Sequence, residues 1–116
     1  MGVTGYVVGL DTTRAGAAAL AWAMTEAERT HRPVRAVTVW RSGPPFPWAE
    51  GVLRTLEAAA AAHPHVDLAH RELTGPTAAA LVRAAREAEL IVLGRDGGAG
   101  FVAAHCARDA RCPVVD

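Results

Sequence analysis

Lysine is absent from the sequence, and arginine supplies all 12 basic residues. Acidic residues balance them, so the formal net charge is zero. This balance shows no charge asymmetry of the kind that suggests nucleic acid or an anionic membrane as a partner. The sequence also has no evident acid–base pair and no nucleophile beside a base, which argues against an enzyme.

Cysteine is scarce, and long apolar runs are missing. Cys106 and Cys112 form neither a CxxC motif nor a disulfide framework. No apolar run reaches membrane-spanning length, and the N-terminus has no basic segment followed by an apolar one. We therefore expect a cytoplasmic protein with reduced cysteines.

Short apolar runs alternate with helix-like segments along the 116 residues, a length that suits one domain. Runs of four or five residues are too short for buried helices, and their β-branched residues favour strands. The alternation predicts an α/β domain over 1–116: an open, Rossmann-like parallel sheet with helices on both faces. We expect strands at Tyr6–Leu10, Val34–Trp40, Val66–His70, Leu90–Leu93 and Cys112–Asp116, and helices at Arg14–Thr30, at Ala49–Ala62, from Thr74 onward and at Phe101–Ala110.

Helical periodicity also predicts which faces are buried. Because three prolines interrupt Arg41–Trp48, we expect that segment to be irregular. For the first helix we expect burial of Ala17, Leu20, Ala21, Met24 and Ala27, and for the second of Val52, Leu53, Leu56 and Ala60.

A glycine-rich loop follows the strand Leu90–Leu93, with glycines at 94, 97, 98 and 100. Glycines let a backbone bend sharply and approach a ligand closely. A helix N-terminus just beyond offers unpaired N–H groups, which suit an anion such as phosphate. A plain connection between a strand and a helix explains the same residues.

Three loops follow strands and therefore lie at the carboxyl edge of the predicted sheet, where such sheets bind ligands. They are Asp11 with its neighbours, the proline-rich loop and the glycine loop. Asp11 is also well placed as an anion at the N-terminus of the first helix, where the helix dipole favours it. The two roles are compatible.

Other motifs have simpler explanations. Gly98–Ala103 matches the dinucleotide fingerprint G-x-G-x-x-A, but that fingerprint needs an acidic residue about 20 positions further on and only 13 residues follow Ala103, so we interpret the match as chance. His63, His65 and His70 lack further ligands at suitable spacing, so we expect surface loop histidines and no metal site. Cys106 falls on the apolar side of the last helix and is expected to be a small core residue.

The sequence resembles the universal stress proteins of the UspA family. The resemblance rests on Val7–Asp11, Ala36–Trp40, Gly75–Pro76, Glu89–Gly94 and Arg111–Val115. It implies a five-stranded parallel sheet in the order 3-2-1-4-5. It also implies a candidate nucleotide site made of Asp11, Thr12, Val39, Leu93, Gly94, Gly97, Gly98 and Gly100.

The family's ATP-binding pattern is shortened here. In ATP-binding members about nine residues separate the second glycine from a Gly-Ser or Gly-Thr pair. In this chain Gly94 and Gly97 match the first two glycines, but two residues separate Gly97 from Gly100, and Phe101 replaces the hydroxyl residue. The resemblance therefore predicts that ATP binding is weakened or lost.

We thus expect a non-catalytic regulatory or interaction domain with no firm cofactor. The alternative is a stress-response switch that binds a smaller adenine nucleotide through the glycine loop 94–100. The C-terminal strand lies at a sheet edge with unpaired backbone groups, and the family often pairs it across a two-fold axis. We expect a homodimer through this strand, with a protein partner left open and neither nucleic acid nor membrane bound.

Overall fold

The parallel sheet is built from five strands in the order β3-β2-β1-β4-β5, as predicted. A computed structural model describes residues 5–11, 14–40, 46–94, 99–110 and 112–115. The strands are β1 (Tyr6–Gly9), β2 (Val34–Trp40), β3 (Leu68–Thr74), β4 (Leu90–Leu93) and β5 (Val114–Val115), and the helices are α1 (Arg14–Thr30), α2 (Phe46–Ala62), α3 (Thr77–Ala84) and α4 (Ala99–Asp109).

The central strand β1 pairs in parallel with β2 on one side and with β4 on the other. Tyr6 lies opposite Val34 and Leu90, and Gly9 lies opposite Val37 and Leu93. A strand buried on both faces needs apolar side chains in both directions, which explains the continuous apolar run of β1.

The sheet separates two apolar clusters. Beneath α1 and α2, Val8 and Val92 of the sheet pack with Leu20, Met24 and Val52. On the other face, side chains from the same strands pack against α3 and α4, with Val7, Ile91, Leu81 and Cys106 fully or almost fully buried. The prediction of helices on both faces is confirmed.

Several boundaries differ from the predictions. α2 begins at Phe46, so Pro47 lies in its first turn, where a missing N–H does not interrupt helix bonding. β3 is seven residues long and ends at Thr74, so Thr74 is a strand residue rather than a helix cap. α3 begins at Thr77 instead.

The buried helix faces were predicted with partial success. Leu20 and Met24 of α1 are buried as expected, but Ala19 and Ala23 replace two other alanines in the core. In α2, Leu53 was predicted to be buried and is 51% exposed. In alanine-rich helices the two faces differ little in hydrophobicity, so the pattern predicts that a helix forms more reliably than it predicts which face is buried.

Membrane-spanning helices are not found in the part of the chain that the structure describes.

Candidate functional site

The candidate site lies where the chain reverses its direction across the sheet. After β1 the chain adds β2 and then β3 on one side, and then crosses to place β4 and β5 on the other. The loops after β1 and β4 therefore diverge at the carboxyl edge. Open parallel sheets bind ligands in the crevice that forms at this point.

Asp11 lies at this edge, just beyond β1. The backbone N–H of Leu10 donates to the carbonyl of Val37 over 2.9 Å, so the end of β1 remains fixed to β2. The Asp11 side chain is exposed and lies against Gly16 in the first turn of α1. A Cβ on Gly16 would collide with the Asp11 carboxylate and come within 3.1 Å of the Asp11 backbone nitrogen. The carboxylate is thus held beside a helix N-terminus, which favours negative charge.

Gly94 directly follows β4 and packs against the same turn of α1. A Cβ on Gly94 would lie 2.7 Å from the backbone nitrogen of Gly16 and closer still to the carbonyl of Ala15. No side chain fits in this space, so glycine is required by packing whether or not a ligand binds. The contact brings the ends of β1 and β4 and the start of α1 into one rigid unit.

Leu93 and Val39 are the apolar residues of the candidate site. The Leu93 side chain is buried in the cluster beneath α3 and α4, so it would meet a ligand mainly through its backbone. Val39 is half-buried and packs against the same cluster. Core packing explains a valine at this position of β2, and part of the Val39 side chain stays accessible at the carboxyl edge of the sheet.

The glycine loop is only partly described. Gly97 and Gly98, like Thr12, lie outside the described residues, and so does the Phe101 side chain. Gly100 lies in the first turn of α4, because that helix begins at Ala99 rather than at Phe101 as predicted. Within 94–100, α4 thus begins two residues earlier than the sequence suggested. This arrangement places the N–H groups that open α4 close in sequence to Gly94.

The cysteines are poor nucleophiles in this fold. Cys106 is 0% exposed, which confirms the prediction of a core residue. Burial raises the pKa of the Cys106 thiol and also that of Cys112, which is partly exposed. A raised pKa lowers the thiolate fraction on which reactivity depends.

His63 and His70 are partly buried and lie close to other polar side chains, unlike surface loop histidines, and His70 lies in a strand, as the predicted strand Val66–His70 implied. The Nδ1 atom of His63, just after α2, lies 3.5 Å from a carboxylate oxygen of Glu28 in α1 without forming a hydrogen bond. His70 is a strand residue, and its Nε2 atom lies 3.0 Å from the Oγ1 atom of the buried Thr38. Burial lowers the pKa of His70, and Glu72 partly opposes this shift. Among the described residues, no group of three or more metal-ligating side chains is present.

Sequence reasoning missed these polar contacts because they join distant residues. Thr38 and His70 are neighbours only through the register of β2 with β3. The signal that points to the contact of His70 is the alternation along β3, which puts Leu68 and His70 on one face.

The model of the universal stress protein family matches residues 6–115 of this chain. The chain therefore belongs to the universal stress protein family. The five-stranded order agrees with the fold that the sequence resemblance implied. A comparison with curated proteins gives no significant match.

Solved structures of the same family cover nearly the whole chain. A universal stress family protein from Burkholderia pseudomallei is 29% identical, with a TM-score of 0.74 over 96% of this chain and 93% of its own. A universal stress protein solved in complex with cAMP is 25% identical, with a TM-score of 0.79 and coverage of 98% and 96%. One from Archaeoglobus fulgidus in complex with dAMP is also 25% identical, with a TM-score of 0.76 and coverage of 99% and 98%.

Proposed function

We propose that this chain is a regulatory domain that binds an adenosine monophosphate at the carboxyl edge of its sheet and binds ATP weakly or not at all. The observation that supports this most is the grouping of Asp11, the first turn of α1 and Gly94 at the strand switch. The two relatives bound to cAMP and dAMP support the ligand class.

The short loop favours a monophosphate. Gly94 and the start of α4 offer backbone N–H groups for one phosphate. The ATP-binding form of the loop has about seven further residues and a hydroxyl, which are missing here. A hydrogen bond to a charged group contributes roughly 1.5–3 kcal/mol, so losing two weakens binding by roughly 3–6 kcal/mol. That corresponds to a loss of about a hundredfold to twenty-thousandfold in ATP affinity.

Asp11 is proposed to accept hydrogen bonds from the nucleoside. The test is calorimetric titration of Asp11→Ala with AMP, beside the control Asp67→Ala. Asp67 is also exposed but lies just before β3, at the opposite edge of the sheet. Losing one charge-assisted bond predicts affinity about 10–150-fold weaker in Asp11→Ala. Asp67→Ala should bind like the wild type. Equal affinity in the two variants would show that Asp11 does not contact the nucleotide.

A homodimer through β5 is the second part of the proposal. β5 lies at the sheet edge, and pairing with β4 uses the carbonyl of Pro113, which accepts from the N–H of Ile91 over 3.0 Å. In a parallel ladder the N–H of the next residue, Val114, then points away from β4. Such an edge is a template for another strand. Light scattering at micromolar concentration should give twice the chain mass; the mass of one chain would contradict it.

The proposed role is non-catalytic and cytoplasmic. The raised pKa values of both thiols agree with a protein that does not act through its cysteines. Incubation with AMP and with ATP, followed by chromatography, should return both nucleotides unchanged. Turnover that persists in purified protein and disappears in Asp11→Ala would refute the non-catalytic role.

A further inference from the structure

An apolar groove runs beside β5 on the face of the sheet that α1 covers. α1 packs mainly over β1, β2 and β4. The resulting groove, the Trp22 groove, has a volume of about 360 Å³ and is lined mainly by Ala15, Ala18, Trp22, Val92 and Val115. Val92 and Val115 are register partners in β4 and β5, so the floor of the groove continues to the open edge of the sheet.

Packing within a single copy does not explain why the large apolar side chain of Trp22 is left partly exposed in this groove. It is 45% exposed, and Leu53 is the other large exposed apolar side chain among the described residues. Tryptophan is strongly enriched among the residues that dominate binding at protein interfaces. A partly exposed indole on the wall of an apolar groove therefore suggests a partner.

The size of β5 explains why the proposed dimer needs this groove. β5 contains two residues, Val114 and Val115, so pairing two copies forms few hydrogen bonds and covers little area. Stable specific interfaces bury roughly 1,200–2,000 Å² in total. A fully buried tryptophan covers about 150–250 Å², and because Trp22 is 45% exposed, somewhat less than half of that area remains for each copy to bury. The Trp22 groove is an apolar surface that adjoins β5 and adds to the area that pairing of the strands can bury.

Symmetry then identifies the occupant. Antiparallel pairing of two β5 strands requires a two-fold axis perpendicular to the sheet, and this axis keeps α1 of both copies on the same face. The two grooves therefore join over the paired strands, with one Trp22 on each wall. The chain has zero formal net charge, so long-range repulsion between copies does not oppose the contact.

We propose that the Trp22 groove is the apolar core of an interface with a second copy of this chain, with Trp22 as its anchor. The inference rests on the proposed homodimer and specifies which side chains hold it together. β5 sets the register between the copies, and Trp22 provides most of the affinity.

The test measures the dimer dissociation constant by sedimentation for the full chain and for Trp22→Ser, with Leu53→Ser as the matched control. Both substitutions replace a large exposed apolar side chain on a helix, and a circular dichroism melt checks that each variant is folded. Truncating an anchor weakens binding at least about 30-fold for each copy, or about 1,000-fold for the symmetric pair. Leu53→Ser should leave the dissociation constant within about threefold of the wild type.

A third variant separates the inference from the homodimer itself. Val114→Pro removes the N–H that points away from β4 and should also dissociate the dimer. A wild type that is monomeric would refute the homodimer and the inference together. If Val114→Pro dissociates the dimer but the folded Trp22→Ser variant stays dimeric, the inference is wrong while the homodimer stands. A dimer that neither substitution affects would place the interface elsewhere and overturn both.

Discussion

Replacing Gly94 with alanine tests the contact that holds the candidate site together. The new methyl group would lie 2.7 Å from the backbone nitrogen of Gly16 and closer to the carbonyl of Ala15. Both obstacles are backbone atoms of a packed helix, which cannot rotate aside as the end of a side chain can. α1 must therefore move away from β4.

Overpacking of a core contact typically destabilises a protein by about 1–3 kcal/mol, and we expect the upper part, about 2–3 kcal/mol, because the helix itself has to shift. For a chain of this length, 1 kcal/mol corresponds to about 4 °C in melting temperature, so Gly94→Ala should melt about 8–12 °C below the wild type. The domain should still fold, because typical stabilities are about 5–15 kcal/mol.

Gly51→Ala is the matched control for this experiment. Gly51 lies within α2, and a Cβ there would meet nothing within 4 Å. Alanine is favoured over glycine in a helix by about 0.5–1 kcal/mol, so this variant should melt about 2–4 °C above the wild type. Calorimetric melts of the three proteins decide the matter. A Gly94→Ala protein as stable as the wild type would refute the close approach of β4 and α1.

Two further predictions concern titration and thiol chemistry. Burial lowers the pKa of His70 below its ordinary value, so the folded state binds fewer protons than the unfolded state, and stability falls as the pH drops below about 6.5. Between pH 7.5 and pH 5 the urea midpoint of unfolding should therefore fall less in His70→Gln than in the wild type. An equal fall in the two proteins would contradict this contribution of His70. A thiol reagent should modify the partly exposed Cys112 well before Cys106, which is 0% exposed. Mass spectrometry of partly labelled Cys112→Ser and Cys106→Ser proteins measures the two labelling rates separately. Equal rates would contradict the buried position of Cys106.

The fold was largely predictable because its strands are short, β-branched and separated by helix-length segments. The strand order required the resemblance to the family, since alternation alone gives only a parallel sheet. Side-chain burial in α2 was harder to predict. Leu53 is apolar and close to Val52 in sequence, yet it lies on the outer face. The alanines at 58–62 do not distinguish one face of α2 from another.

The candidate site was predictable in position but not in its contacts. The carboxyl-edge rule placed Asp11 and Gly94 together because both follow strands. The packing of Gly94 against Gly16 joins residues far apart in the sequence, so no local pattern shows it. The start of α4 at Ala99 was missed because glycine is unfavourable within helices, although it is tolerated in a first turn.

The central claim is that the shortened glycine loop accepts one phosphate and not three. The most direct measurement is calorimetric titration of the wild-type chain with AMP and with ATP under identical salt and pH. We expect AMP to bind at one site per chain and ATP to bind more weakly or to give no heat of binding. ATP that binds as tightly as AMP or more tightly, or a chain that does not bind AMP, would contradict it.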